Sequence, residues 1–180
     1  MQINVIGFDI AKHVFQVHAA DNGGQAVAQI RLRRAQVLDY FRSLPPCLVG
    51  MEACATAHHW ARELMALGHD VRLMPPGYVK AYVKRNKTDA ADAEAIAEAV
   101  TRPTMRFVPV KSAESQAMLM LDRARELLVR QRTMLANAVR AHLAEFGIIA
   151  PQAIHRVEKL ATQVHDPAVP PIWRDALCRS

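Results

Sequence analysis

The 180-residue sequence predicts an α/β fold: a mixed β-sheet with helices on its faces, followed by a long helical arm. Three observations predict it. Three apolar runs open the chain, and the second and third are joined by Asp21-Asn22-Gly23-Gly24, a turn whose Asn and Gly accept positive φ. Two further apolar runs each follow a helical pattern, which is the spacing of βαβ units and parallel strands. From residue 112 to 146 the pattern is helical without a single Gly or Pro.

Taken in order, residues 3–10 are the first strand, with Gly7 allowing close backbone approach and Asp9 near the end. Residues 14–20 and 25–32 are its antiparallel successors. Residues 34–44 form a short amphipathic helix with Val37, Leu38 and Phe41 on one side, stopped by Pro45-Pro46. The strand at 48–53 carries Glu52 near its C-terminal end. Thr56 is placed to cap a helix that ends at Gly68. Residues 70–74 are the fifth strand, closed by Pro75-Pro76-Gly77 and followed by a short helical turn at 78–84. A helix then opens at 86–99, Thr101-Arg102-Pro103 breaks it, and 105–110 is extended. Ser112 is the N-cap of the long helix, on which Leu121, Leu128, Leu135 and His142 recur at every seventh residue, with Met120, Leu127, Met134 and Ala141 beside them. Gly147 ends that helix, Pro151 starts one more that runs to about Val164, and the Pro-rich tail is irregular. The expected organisation is a sheet domain at 1–110, an arm at 111–149 and a short helix and tail at 150–180.

Composition narrows the class. Half the residues are apolar, enough for a core. A net charge of +6 points to an acidic partner, nucleic acid first. Cys47, Cys54 and Cys178 make no C-x-x-C pair, which fits a reduced compartment. No run is long enough to span a membrane and the start lacks a basic leader, so a cytoplasmic location is expected.

The chemistry centres on the helix at 86–99. Asp89 and Asp92 are three apart and share a face with Ile96, Ala99 and Val100, whereas Glu94 and Glu98 point the opposite way. Inward carboxylates cost free energy unless a metal or strong donor meets them. Asp9 and Glu52 lie near the C-terminal ends of strands, the edge at which open α/β sheets bind ligands. If those strands are neighbours, the four acids converge and need cations beside them. Mg²⁺ or Mn²⁺, hard ions with oxygen ligands, suits them, and a pair of such ions about 4 Å apart serves phosphoryl transfer. Each acid alone also reads as a strand end or as an N-terminal acid favoured by the helix dipole. Lys12, Lys80, Lys84, Arg85 and Lys87 are candidate phosphate contacts beside this site, against the plain reading of a solvated basic face. Tyr78 and Tyr82 suit base stacking or packing equally. His58, His59 and Cys54 have the wrong spacing for structural zinc. Arg123, Arg125, Arg130, Arg132 and Arg140 fit a solvated coiled-coil exterior or a grip on RNA.

Three strings in this order, Gly7-Phe8-Asp9-Ile10-Ala11-Lys12, Gly50-Met51-Glu52-Ala53-Cys54 and Asn86-Lys87-Thr88-Asp89-Ala90-Ala91-Asp92, resemble the DEDD transposases of bacterial insertion sequences. The likeness runs from about residue 3 to 149 and includes His58-His59-Trp60-Ala61-Arg62-Glu63-Leu64 and the Arg-rich helix. It implies an RNase H-like (RuvC-type) fold, with Asp9, Glu52, Asp89 and Asp92 as catalytic metal-binding acids. It further implies DNA and a structured guide RNA as partners, a homo-oligomer built through the long helix, and a C-terminal domain that supplies a serine nucleophile. The chain departs from the pattern at Ser180, so it is expected to be a truncated N-terminal part. Asp122 stands where many relatives are expected to have His.

Two other classes remain. An actin-like or sugar-kinase-type ATP-binding domain also opens with an Asp-bearing strand and a hairpin, but needs Gly-rich phosphate loops, and the pair Gly23-Gly24 is explained by the turn. A non-catalytic nucleic-acid-binding and dimerisation module is the third.

Overall fold

The computed structural model describes residues 2–82, 89–150 and 157–173, and of residues 89, 157, 158 and 161 the backbone alone. Two compact units divide the chain, Met1–Gln116 and Ala117–Ser180.

In the first unit, β1 (Val5–Asp9), β2 (Val14–Ala20), β3 (Ala26–Arg33), β4 (Leu48–Glu52) and β5 (Asp70–Met74) form a sheet in the order β3-β2-β1-β4-β5. β1, β2 and β3 are an antiparallel meander, while β4 and β5 run parallel to β1. The turn from β2 to β3 is closed as its sequence demands. The Asp21 carboxylate accepts the N–H groups of Gly23 and Gln25, both at 2.9 Å, and Gly24 takes φ +78°. Outermost on one side, β3 exposes Gln29, Arg31 and Arg33 and buries Leu32. α1 (Val37–Arg42) lies between β3 and β4 and α2 (Ala57–Ala66) between β4 and β5, while α3 (Pro76–Val79) and α4 (Asp89–Val100) follow β5. This mixed sheet with helices on its faces is the arrangement expected from the sequence.

Strand alternation sorts the two faces. Phe8, Phe15, Val49, Met51 and Leu73 point into a core shared with Phe41 of α1 and with Trp60 and Leu64 of α2. There Phe8 stacks on Phe15 with ring centroids 5.4 Å apart and meets Phe41 edge-on at 5.2 Å. Val5, Ala20 and Met74 point the other way, into a core with Ile96, Ala99 and Val100 of α4.

The second face is built for close approach. A Cβ on Gly7 would lie 1.9 Å from the carbonyl oxygen of Ala93 and 2.5 Å from the amide nitrogen of Ala97. On Gly50, which pairs with Gly7 across β1 and β4, it would lie 2.7 Å from Cβ of Val100. The helix backbone therefore rests on the sheet where two glycines stand side by side. The expectation of close approach at Gly7 is met, and Gly50 extends it.

Two local expectations differ from what is observed. Thr56 precedes α2, but with φ +71° and without a side-chain cap hydrogen bond. The left-handed backbone is outside the extended region from which an N-cap hydroxyl reaches the first turn. Glu94 and Glu98, expected to face solvent, are half-buried and line a cavity of about 680 Å³ with the β2–β3 turn. Seating α4 this low on the sheet shades both of its flanks.

α5 (Ala113–Ala144) spans 32 residues and is capped by Ser112, whose hydroxyl accepts the N–H of Ser115 at 3.1 Å. In the second unit, Ala136 and Leu143 of α5 pack with Leu160 of α6 (Val157–Gln163) and with Val169, joined by Phe146 and Trp173. The heptad residues Leu121, Leu128 and Leu135 lie off that contact and are 64–65% exposed.

Gly50→Ala is expected to cost about 1–3 kcal/mol, the usual range for overpacking, and Val100→Ala in the same chain to return part of it. Urea unfolding of both variants measures this, and a Gly50→Ala protein as stable as the wild type would refute the contact.

Candidate active site at the parallel strand ends

The acids are placed by register. Val5, Ile6, Gly7 and Phe8 pair in turn with Leu48, Val49, Gly50 and Met51. One step further, at the last residue of each strand, Asp9 stands beside Glu52. Both are half-buried. Side chains alternate along a strand, so Asp9 shares the face of Gly7 and Glu52 that of Gly50. That is the face α4 covers.

α4 supplies the other two. Thr101 and Arg102, just past its end, line a cavity with Asn4, Val5 and Leu48 at the start of β1 and β4. The helix therefore runs against β1, and its first turn lies toward the end where Asp9 and Glu52 stand. Asp92 is half-buried and precedes Ala93, the residue whose carbonyl lies against Gly7. Ile96, Ala99 and Val100, which continue the stripe of Asp89 and Asp92, are buried. The side chain of Asp89 lies outside the described residues, as do Lys84, Arg85 and Lys87. Among the described residues no group of three or more His, Cys, Asp and Glu side chains is disposed to hold a metal ion.

Two of the basic candidates are described. Lys12 is exposed in the loop that leaves Asp9, and Lys80 is exposed after α3, which follows the end of β5. β1, β4 and β5 are parallel, so both lysines belong to loops on the edge that holds the acids. Tyr78 is half exposed, whereas Tyr82 packs against the α4 core and lies under the guanidinium of Arg102, 5.9 Å from the ring centroid.

Cys54, half-buried two residues after Glu52, is a further member of this edge. Burial, then the charge of Glu52, then that of Asp9, pushes its thiol above the ordinary range, which sets the thiol within electrostatic reach of both acids. Its position two residues after a strand-end acid was the available signal. The glycines Gly23 and Gly24 are used in the hairpin turn, as expected, and form no phosphate loop.

Comparison with known proteins decides the family. Residues 6–148 match the sequence profile of the IS110-type DEDD transposases, described as transposase. The chain belongs to the DEDD transposases. It is 60% identical over 150 residues to a "Probable family 20 transposase" of Pseudomonas aeruginosa, covering 83% of this chain and 44% of that protein. With the transposase for insertion sequence element IS1328 of Yersinia enterocolitica it shares 41% identity over 169 residues, 94% of this chain and 51% of the relative. With the transposase for insertion sequence element IS1111A of Coxiella burnetii it shares 44% over 146 residues, 81% and 40%. The chain thus spans about half the length of these transposases. Among solved structures, T. thermophilus RuvC in complex with a Holliday junction substrate aligns with 60% of this chain and 100% of that chain, at TM-score 0.42 and 14% identity.

Neutralising both neighbours, as Asp9→Asn with Glu52→Gln, is expected to lower the Cys54 thiol pKa and speed its alkylation at pH 8 severalfold. The measurement uses a Cys178→Ser background, in which Cys47 stays silent because burial lifts its thiol to about 11. An unchanged rate would place the acids away from the thiol.

Proposed function

We propose that residues 1–110 are the metal-dependent nuclease part of a DNA transposase, with Asp9, Glu52, Asp89 and Asp92 as its catalytic acids. The observation that supports this is the register of β1 on β4, in which Phe8 pairs with Met51 immediately before Asp9 and Glu52, on a sheet whose Gly7 meets Ala93 of α4. Two carboxylates fixed at adjacent strand ends repel, and a third and fourth on α4 add to this. A divalent cation offsets the repulsion, and the donor set is all oxygen, as Mg²⁺ or Mn²⁺ prefers. An ion bound there supplies Lewis-acid polarisation of a phosphodiester. The residues themselves do the rest. The strand-end carboxylates would hold such an ion, with Asp92 on a helix that the glycine seat prevents from drifting. Lys12 and Lys80, with Lys84, Arg85 and Lys87, meet neighbouring phosphates and hold the DNA across the edge. Work on DNA places the protein in the cytoplasm.

Residues 111–149 act as the assembly arm in this reading. Leu121, Leu128 and Leu135 form an uncovered stripe at heptad spacing, which a second copy of the chain covers. Arg123, Arg125, Arg130 and Arg132 are exposed beside it and are offered to the guide RNA. The serine-bearing half of the reaction is assigned to the part of the relatives that this chain does not span.

Calorimetric titration with Mg²⁺ or Mn²⁺ is expected to show binding that weakens at least about tenfold, the equivalent of about 1.4 kcal/mol, in Asp9→Asn and again in Asp92→Asn. Equal affinity in wild type and both variants sinks the metal site. For assembly, Leu128→Glu is expected to convert a sedimenting dimer or tetramer to monomer, and an unaltered sedimentation coefficient would remove α5 from the interface.

A further inference from the structure

A second group of polar side chains lies at the start of α2 and has no part in the acid site. His58 stands in the first turn of α2, and Arg62 one turn later. Lys111, in the segment that leads into α5, reaches both. The backbone N–H of Lys111 donates to Nδ1 of His58 at 3.2 Å, and its carbonyl oxygen accepts from Arg62 at 2.7 Å. Arg62 also donates to the side-chain oxygen of Gln116 at 2.9 Å. These contacts fasten residues 111–116 to α2 with main-chain atoms of Lys111.

The lysine side chain does something else. Its Nζ lies 3.2 Å from Nε2 of His58. A neutral imidazole carries one proton. Nδ1 accepts from the backbone, so that proton is on Nε2, and Nε2–H and the ammonium are two donors facing each other. The other tautomer only moves the conflict to the backbone N–H, which cannot turn away. The conflict ends when one acceptor takes a hydrogen bond from both donors. Three basic side chains converge here, all half-buried. Of the acids, Glu114 is within electrostatic reach of Arg62, and its carboxylate is already engaged by its own backbone N–H and by the Ser112 hydroxyl.

We propose that Nε2 of His58 and Nζ of Lys111, backed by Arg62, bind a phosphate group of a nucleic-acid backbone at the sheet edge that also carries the acids. The proposal rests on the nucleic-acid reading above and adds a contact point to it. Its position follows from chain order: α2 leaves β4 directly after Glu52, so His58 belongs to the edge of the sheet that also holds Asp9, Lys12 and Lys80. A phosphate oxygen is an acceptor only, carries the charge that the two cations Lys111 and Arg62 favour, and is present along the whole strand that the acids would cut. The burial of His58 and the cations Lys111 and Arg62 hold its imidazole below the ordinary range, consistent with a ring that is neutral until an anion arrives.

The test separates the fastening from the site, because Lys111→Gln keeps the backbone N–H and carbonyl that tie α2 to residues 111–116 and removes only the ammonium. The 180-residue chain, its Lys111→Gln and Lys111→Arg variants are titrated with labelled duplex DNA and with a labelled RNA of equal length, over a range of salt. Lys111→Gln is expected to reduce the slope of log affinity against log salt by about 0.9 on DNA, or about 0.7 on a single strand, and Lys111→Arg to restore most of it. A change seen with RNA alone assigns the phosphate to RNA. In parallel, inorganic phosphate is added while the His58 ring nitrogens are followed by NMR, with movement expected in the wild type and absent in Lys111→Gln. If no nucleic acid binds but phosphate moves His58, the site stands and the nucleic-acid reading falls. Unchanged slopes on both nucleic acids together with a His58 ring indifferent to phosphate overturn the proposal.

Discussion

The first unit depends on a helix backbone lying directly on a sheet. Gly7 and Gly50 sit side by side on β1 and β4, and the room their missing side chains leave is filled by Ala93, Ala97 and Val100 of α4. Dispersion contacts of this kind are individually small and fall off within a fraction of an ångström, so close fit is what makes the seat selective. It fixes the height of α4 and its rotation about its own axis together. A helix held on large side chains would slide or roll by an ångström or more with little penalty, and the aspartates on its first turn would move with it. The same two glycines that complete the core therefore set the geometry of the candidate site, two residues before each strand-end acid.

Much of this was legible in the chain because the signals are local. Five short apolar runs bounded by Asn-Gly, Pro-Pro and Pro-Gly turns gave the strands, and Ser112 and Gly147 bracketed the long helix. The apolar residues Ile96, Ala99 and Val100 of α4 are buried, as their spacing indicates. Strand order was reachable too, since a meander followed by right-handed crossovers leaves few arrangements. What was not legible depends on distance in the fold. Nothing in the string around Gly50 says that Val100 fills its space, and nothing around His58 points 53 positions ahead to Lys111. Glu94 and Glu98 were read from a wheel that treats a helix as isolated, and such a wheel has no term for how deeply the helix is seated. Thr56 has the right residue type for a cap and the wrong backbone, because the tight exit from β4 demands a left-handed residue there.

The two units use apolar surface in opposite ways. In the first, the large side chains Phe8, Phe15, Phe41 and Met51 are fully buried. In the second, α5 puts Ala136 and Leu143 into a small core and leaves most of its other leucines and methionines exposed. Exposed apolar area arranged at heptad spacing is a surface with a destination, and it differs in kind from the scattered apolar residues any protein surface shows.

The outer strand β3 carries a consequence for handling the molecule. An unpaired strand edge is a template for another strand, and sheets that end in one are prone to join edge to edge into aggregates. β3 presents Arg31 and Arg33 at alternate positions, both exposed, with only Leu32 turned into the core between them. Two like charges on this rim repel an incoming copy of the same strand and keep it from seeding fibrous stacking.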